Sequence, residues 1–462
     1  MREVSQVFKD GFAAGLRPTT AVGPDTQYLT HSYNLVPTSA GLIPRANVGQ
    51  LTETAFPESY PFPALFCCSR HILLFTATDV YRINSDWEPE HLLTKEWGGL
   101  PQIADFMDFL VWATPAGAFC LRDGAIVEEL HGAQFKTCTN FRGQLVVGNC
   151  VLPKGPEKVG HEYVENRVDV QGQNIVAWSK IGSIDWEYNL GNEVGWAPMD
   201  WDGEVLGLLP LGKEIIVYGT NGLAKMAPTT EPTPTFGIQD FGAVGVKNRN
   251  CFAGDFTSHL FLGNDNALYI VEPERALSGE GKLPKRLGYE EFLSELQDPI
   301  VTFDPVLRQW WIGDAQTCYI FSGTALGESS ETPTHLNRLD GGLYGHTFKH
   351  GTSSAVVETG PVSFDSRGIK TLMCVESDIS SPCFVKGSTS FRYGYGDSWR
   401  STHQIRLDPR GAFFPVTAGT EIRVRFDAPH FEDFHVTKLW LHFKNTDKTF
   451  SRGVINAGRP AE

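Results

Sequence analysis

Aromatic and acidic side chains are concentrated in one short stretch near the middle of the chain, and such mixtures can bind sugars. The residues are Trp186, Trp196, Trp201, Asp185, Asp200, Asp202 and Glu204. A sialidase-type propeller repeats a Ser-x-Asp-x-Gly-x-x-Trp box, but SIDWEYNLGNEVGW lacks glycine at the required place and the box does not recur. We therefore predict a structural role for these tryptophans, with carbohydrate binding as the alternative.

The carboxylates of the segment DWDGE, at residues 200–204, stand at alternate positions, as they do in a calcium loop. The rest of an EF-hand pattern is absent from this stretch. An Asp-Gly pair is typical of a β-turn, so we interpret the segment as a turn, with ion binding as the alternative.

Histidines are the other side chains whose spacing suggests chemistry. His346 and His350 would be neighbours on a helix, but in a strand four residues span about 13 Å, which is too far for one metal ion. His430, His435 and His442 are scattered through a strand-rich region. We interpret all five as structural histidines and predict no metal site.

Sequence motifs of the common enzyme classes are missing. The chain contains no G-x-x-x-x-G-K-[ST] loop, no H-E-x-x-H, no G-x-S-x-G elbow and no paired C-x-x-C. The sequence therefore predicts no enzyme, no catalytic or cofactor-binding residue and no cofactor.

Composition favours a folded, mostly β protein. Among 462 residues, 47 glycines and 28 prolines interrupt the chain so often that long helices have little room to form. No apolar run is long enough for a membrane helix, and the N-terminus shows no signal-peptide core, so we expect no membrane insertion. The nine cysteines are an odd number and lie mostly in apolar runs, which predicts free, buried thiols and folding in a reducing cytoplasm.

Charge is unevenly distributed along the chain. Residues 355–462 carry 14 Lys and Arg against 12 Asp and Glu, whereas residues 1–354 carry 25 against 42. Phosphate contacts need clustered basic side chains, so this balance argues against a protein that wraps nucleic acid. The change in charge is also one reason to place a domain boundary near residue 355.

Internal repetition is the strongest pattern in the sequence. One unit recurs, an apolar strand followed by a short polar or glycine turn and a second strand that often carries an aromatic residue. The copies are ILLFTATDVYRI from Ile72, FLVWATPAGAFCL from Phe109, EIIVYGTNGLAKM from Glu214, HLFLGNDNALYIV from His259 and QWWIGDAQTCYIF from Gln309.

A sixth copy is split by an insertion. QLVVGN from Gln144 is its first strand and NIVAWS from Asn174 its second, separated by a polar insertion at about residues 150–173. A weaker seventh copy begins at Gly341. Repeats of this length built from short antiparallel strands are the signature of β-propeller blades. We expect the paired strands to be the inner strands of a blade, the segments between copies to be its outer strands, and Trp178 and Trp186 to fill the space between blades.

The C-terminal residues have a different pattern from the repeats. Residues 355–462 contain short strands that alternate apolar with polar residues, and Arg423 and Arg425 share a face opposite Ile422, Val424 and Phe426. This pattern predicts a β-sandwich. The fold prediction is all-β, a six- or seven-bladed β-propeller followed by a C-terminal β-sandwich, with a short N-terminal helix or arm.

Three domain ranges follow from these patterns. Residues 1–27 are predicted to form a docking arm, in which Val4, Val7, Phe8 and Phe12 follow helical spacing. Residues 28–354 are predicted to form the propeller and residues 355–462 the sandwich. A segment from Gln27, QYLTHSYNLVPT, is the candidate strand for closing the propeller.

Four stretches, taken in order, resemble tail and neck proteins of bacteriophages. SYNLVPTSAGLIPRANVG resembles their opening segment, with Asn-Leu-x-Pro, a turn glycine and an Arg. IVAWSKIGSIDWEYN resembles their recurring Trp-Ser-x-Ile-Gly element with a following Asp-Trp. GAVGVKNRNCFAGDFTSHLFLGNDNALYIV resembles a later blade, and LPKRLGYEEF the loop after it. The resemblance covers residues 28–321.

The resemblance implies a nozzle protein of a short-tailed phage. Such proteins form a hexameric tube below the adaptor and portal, contact tail fibres or tailspikes, and conduct the genome, so DNA would pass without specific binding. The implied location is the virion tail, after assembly in the bacterial cytoplasm. Two other classes remain as alternatives, a monomeric propeller that binds or hydrolyses glycans in host recognition, and a cellular scaffold propeller that binds peptides.

Overall fold

The computed structural model consists almost entirely of short antiparallel strands. It describes residues 3–446 except 9, 19–26, 50–63, 69–70, 87, 123–124, 128–129, 131, 160–161, 188–192, 230–234, 274–282, 340–341, 348–350, 363–367 and 395. Helical structure in these residues is limited to Asp10–Ala14, Glu290–Leu293 and the 3-10 turn Pro382–Phe384. No helix among them has the length and apolar character needed to cross a membrane.

By its internal contacts the chain divides into two compact units. The propeller unit comprises residues 48–316 and 333–348, and the sandwich unit comprises residues 1–47, 317–332 and 349–462. These units group the chain differently from the predicted ranges, because residues 28–47 and 317–332 belong with the C-terminal strands. The division by contacts is not a test of the ranges 1–27, 28–354 and 355–462, which stay a prediction.

Five four-stranded antiparallel blades make up most of the propeller unit. Blade 1 is Ala64–Cys67, Ile72–Phe75, Asp79–Ile83 and Pro89–Thr94; blade 2 is Gln102–Phe106, Phe109–Thr114, Gly117–Arg122 and Ala125–Val127; blade 3 is Gln134–Phe141, Gln144–Val159, Glu162–Trp178 and Gly195–Pro198; blade 4 is Val205–Leu211, Glu214–Gly219, Leu223–Thr229 and Thr235–Gly242; blade 5 is Phe252–Asp255, Ser258–Leu262, Leu268–Val271 and Lys285–Gly288.

Two further strand pairs complete the ring. Ile300–Asp304 pairs with Gln309–Gly313, and Pro333–Leu339 pairs with Gly342–Thr347. The first strands of consecutive blades contact one another from blade 2 onward, and Pro333–Leu339 contacts the first strand of blade 1. The ring therefore has seven positions, as the six or seven predicted repeats require.

The recurring hairpins occupy the middle of each blade, not its inner edge. Ile72, Phe109 and Glu214 each begin the second strand of a blade, and the innermost strand is the segment that precedes it. The prediction that the segments between the hairpins form only outer strands is therefore wrong for the strand nearest the axis. The physical basis given for the hairpins is sound, since their first strands are buried on both faces between neighbouring blades, which explains the continuous apolar runs.

The insertion of blade 3 is a two-stranded ribbon. Pairing between the second and third strands continues from Val146 opposite Trp178 to Val159 opposite Glu162. Pairing to the flanking strands ends earlier. The second strand is paired with the first as far as Val151, and the third strand is paired with the fourth as far as Ile175, opposite Pro198. Irregular register near Gly155 and Glu157 interrupts the ribbon. At about 3.3 Å per residue, the part beyond Leu152 is on the order of 25 Å long.

The sandwich unit contains two sheets. One sheet is Glu3–Phe8, Leu439–Asn445, Lys370–Ser377, Ala412–Phe413 and Thr417–Gly419; the other is Cys318–Phe321, Leu326–Ser329, Leu29–Tyr33, Ala355–Thr359, Glu421–Ala428, Lys386–Arg392, Arg400–Ser401 and Ile405–Arg406. The rings of Phe413 and Phe426, one from each sheet, meet edge to face with centroids 5.8 Å apart. A separate hairpin pairs Leu35–Thr38 with Gly41–Pro44.

Two expectations for the N-terminal segment are corrected. Residues Glu3–Phe8 form a strand, not part of a helix, because they pair along their length with Leu439–Asn445. β-Branched valines suit that strand, and tertiary pairing overrides the helical spacing. Leu29–Tyr33, the expected closing strand, lies in the sandwich unit, where it pairs with Leu326–Ser329 and Ala355–Thr359.

Candidate functional site

The tryptophans singled out from sequence pack in or against the hydrophobic clusters of the blades, Trp186 buried and Trp196 and Trp201 partly buried. Trp186 is buried in the cluster between blades 2 and 3, with its ring centroid 6.3 Å from that of Phe135, and Trp196 packs against the same cluster. Trp201 packs against a different cluster, which contains Trp178 and blade 4 residues. The three indoles therefore form no common surface on which a sugar ring stacks, which agrees with their predicted structural role.

The loop at residues 200–204 is held by ordinary turn contacts. The Asn221 side chain donates to the backbone oxygen of Asp202 at 2.7 Å, and the Glu204 amide donates to Oγ1 of Thr220 at 3.1 Å. Its carboxylates are exposed or half-buried. In the described part of the chain, no group of three or more His, Cys, Asp or Glu is arranged to hold a metal ion.

The predicted histidines do not converge on one site. His346 lies in the strand Gly342–Thr347, and His350 is outside the described residues. His430 and His435 are exposed. His442 is half-buried, with its Nδ1 2.7 Å from Oγ of Ser5.

A buried polar network explains the opening segment of the sequence. Asn34 has φ of 60°, a left-handed conformation that asparagine adopts more readily than most residues. Its Oδ1 accepts from Nε of Arg45 at 3.0 Å and from the Ser330 amide at 2.8 Å. Its Nδ2 donates to the backbone oxygens of Thr352 and Ser354. The amide thereby joins three segments of the sandwich unit.

Arg45 completes this network as an ion pair. Its Nη1 is bonded to Oε2 of Glu331, and both side chains are almost fully buried. The guanidinium also lies over the Phe431 ring, 4.4 Å from its centroid. Burial lowers the pKa of Arg45, and Glu331 opposes that shift. The Asn and Arg of the opening segment therefore have a structural role in this chain.

The outer face of the sandwich sheet carries the two arginines expected to share a side. Arg423 and Arg425 are half-buried, whereas their neighbours on the strand Glu421–Ala428 are mostly buried. The Arg423 guanidinium lies 4.1 Å from the Trp399 ring centroid and 3.4 Å from Oε1 of Glu358. Because each cation already has a partner, this face does not resemble a phosphate-binding patch.

A cavity of about 540 Å³ lies on the axis of the propeller unit. Each of the seven innermost strands contributes to its wall, through residues that include Phe66, Ile103, Thr139, Leu209, Thr302 and His335. Its volume falls within the range of about 300–1,000 Å³ typical of small-molecule sites. No sequence pattern indicates this cavity, because its wall is built from strands far apart in the chain.

Arg249 is the cation of this cavity. It precedes the first strand of blade 5, and its Nη2 donates to the backbone oxygens of Ala113 at 3.3 Å and Lys136 at 3.2 Å. The side chain thus reaches from blade 5 to blades 2 and 3. Burial lowers the pKa of Arg249 to about 10, so the guanidinium is charged at neutral pH. Sequence reasoning missed this residue, since its contacts are with distant carbonyl groups.

Uncharged aromatic rings also line this cavity. The rings of Phe66 and His335 pack against each other at an angle of 36°, with centroids 4.1 Å apart. Burial lowers the pKa of His335 to about 4, so its imidazole is neutral at pH 7. The cavity therefore places the Arg249 cation near uncharged aromatic rings.

Comparison with known proteins adds little beyond this geometry. No family model and no curated protein matches the chain. Among solved structures, it is similar to the Pan2 WD40 domain of Neurospora crassa, with 7% identity over 65% of this chain and 87% of that chain and a TM-score of 0.36. AztD from Citrobacter koseri gives 12% identity, 66% and 93% coverage and a TM-score of 0.35.

Hsv2 from Kluyveromyces lactis is a further match, with 10% identity, 60% and 93% coverage and a TM-score of 0.27. At such TM-scores the likeness carries no argument about function. The propeller assignment rests on the blades and the ring of innermost strands described above.

Proposed function

We propose that this protein is a structural component of a phage tail, a nozzle subunit that forms a ring through which the genome passes. The proposal begins from the resemblance of residues 28–321 to phage tail and neck proteins. The observation that carries it further is the distribution of charge between the two units.

The acidic excess of the chain belongs entirely to the propeller unit. Its residues include 20 Lys and Arg against 37 Asp and Glu, whereas the sandwich unit includes 19 against 17. An acidic wall repels DNA phosphates and keeps the genome from adhering as it passes. A protein that anchors or packages DNA needs the opposite balance.

The conduit is formed between subunits and not within one. The axial cavity of a single propeller has the volume of a small-molecule site, and the Arg249 side chain reaches across the ring beside it. A DNA duplex, whose major groove alone is about 12 Å wide, does not fit there. A channel for DNA therefore requires several copies arranged around a separate axis, and the family resemblance implies six.

Native mass spectrometry of the purified protein tests this proposal. We expect a closed ring of about six chains, because heterologous contacts between identical subunits close into rings when the rotation permits. Adding the adaptor and portal proteins of the same virion should produce a larger complex in which this ring is retained.

A stable monomer under all conditions, including with adaptor and portal proteins present, would contradict the proposal. Glycan-array binding by that monomer would then favour the host-recognition alternative. No contact in the described residues favours that alternative, because Trp186 and Trp196 pack in a blade core.

A further inference from the structure

We infer that the axial cavity of the propeller unit is a binding site for a small organic anion with a planar, apolar body. This inference is independent of the proposed tail function. It rests on the position of Arg249, on the character of the facing wall and on the size of the cavity.

Arg249 lacks a carboxylate partner among the residues that the structure describes. Its Nη2 is bonded to two backbone carbonyl groups, and its Nε is buried without a hydrogen-bond partner in the described chain. Glu204, which acts on it electrostatically, lies 4.0 Å from the Lys136 ammonium group. A buried cation normally has an anionic partner, and none of the described carboxylates forms an ion pair with Arg249.

Asp255, the carboxylate among the described residues that line the cavity, already has an ion-pair partner. Asp255 accepts from Nη1 of Arg308 at 2.8 Å through Oδ2, and its Oδ1 accepts from the Thr257 amide at 2.9 Å. Arg308 and the turn after blade 5's first strand therefore satisfy Asp255. The charge of Asp255 is therefore paired with that of Arg308 and not with that of Arg249.

The rest of the wall suits an uncharged ring. Phe66 and the neutral imidazole of His335, whose rings pack against each other at a tilt, line the cavity, and Leu209 adds an apolar side chain. Polar groups nearby are largely engaged with one another. The Gln102 side chain accepts from Thr137 and donates to the Leu206 carbonyl at 2.9 Å. An aromatic carboxylate has an anionic group that can pair with Arg249 and a planar apolar body that can pack on these rings.

Isothermal titration calorimetry with benzoate as the probe tests this inference, with the neutral isostere benzamide at matched ionic strength as the ligand control. We expect saturable one-to-one binding of benzoate and at least about tenfold weaker binding of benzamide, because a charge-assisted hydrogen bond is lost. The Arg249→Gln variant should bind benzoate at least about tenfold more weakly, and Arg249→Lys should fall between. Arg82→Gln, a surface change at a residue paired with Glu90, is the matched control and should bind as the wild type does.

Arg249→Gln also removes hydrogen bonds to blades 2 and 3, so a second variant keeps the test decisive if it fails to fold. Leu209→Trp fills the cavity and leaves Arg249 in place, and it should abolish benzoate binding while the circular dichroism spectrum stays unchanged. Absence of saturable benzoate binding to the wild type, or unchanged binding in a folded Arg249→Gln or Leu209→Trp variant, overturns the inference.

Discussion

Trp178 is a core residue at the boundary between blades 3 and 4. Its side chain is 1% exposed, and its ring meets that of Phe236 edge to face with centroids 5.2 Å apart. The glycine opposite it is required, since a Cβ atom at Gly195 would lie 2.6 Å from the indole. We expect Trp178→Ala to lower the free energy of unfolding by about 3–5 kcal/mol, through lost contacts and a cavity.

Urea denaturation followed by circular dichroism measures this change. Ile181→Ala, at a neighbouring side chain that is 49% exposed, is the control and should change stability by less than about 0.5 kcal/mol. A Trp178→Ala protein with the wild-type unfolding midpoint and a lost ligand or partner would instead mean that the indole belongs to a binding site.

His259 makes the propeller unit sensitive to acid. The Pro210 carbonyl, 3.0 Å away, only accepts, so Nε2 carries the proton and Nδ1 accepts from the Tyr218 hydroxyl at 2.9 Å. Burial lowers the pKa of His259 from 6.5 to about 4. Between these values the unfolded chain binds the proton and the folded chain does not, so stability decreases as the pH falls.

The expected slope is about 1.4 kcal/mol of unfolding free energy per pH unit within that window. Denaturation curves at pH 7, 6, 5 and 4 measure it. His259→Gln removes this titration, so its stability should fall less steeply than the wild type's over the same range. Equal slopes for the two proteins would show that other groups dominate acid unfolding.

Among structural elements, the ribbon of blade 3 is expected to be dispensable for folding. Its pairs beyond Leu152 and Val170 are continued by no flanking strand. Replacing residues 153–169 with Asn-Gly should close a two-residue hairpin at the Leu152–Val170 pair. Differential scanning calorimetry should then give a melting temperature within about 4 °C of the wild type. A much larger decrease would mean that the ribbon contributes to the stability of the fold.

The elements were predictable wherever local pattern and burial agree. The hairpins from Ile72, Phe109, Glu214 and His259 could be located because their apolar runs are buried on both faces and their turns are short. The position of each hairpin within its blade could not be predicted, since the innermost strand that precedes it is recognised only by its contacts with the neighbouring innermost strands. The Glu3–Phe8 strand was misassigned for a related reason, since its partner lies more than 400 residues away.

The candidate site was less predictable than the elements. Asn34 and Arg45 stood out in sequence, but Ser330, the partner of Asn34, and Glu331, the partner of Arg45, come from a distant segment, so only the structure shows that they form one network. Arg249 carried no signal at all. Its position follows from hydrogen bonds to backbone carbonyl groups of blades 2 and 3, and backbone groups have no sequence signature.

For the whole molecule, we expect no measurable affinity for duplex DNA even near 50 mM salt. Attraction to phosphates is strongest at low salt, and the propeller unit has 37 acidic against 20 basic residues. Fluorescence anisotropy of a labelled duplex measures this directly. Tight retention of DNA that weakens steeply as salt rises would contradict the conduit and favour a genome-anchoring role.

Synthesis of the chain imposes a delay on its first strand. Glu3 pairs with Lys444 and Phe8 with Leu439, so the strand lacks this partner until residues 439–444 have been made. At about 5–20 residues per second, that wait lasts on the order of twenty to ninety seconds. During it the strand edge is open to pairing with other nascent chains. Slower translation lengthens this exposure, so the yield of correctly folded protein should depend on elongation rate.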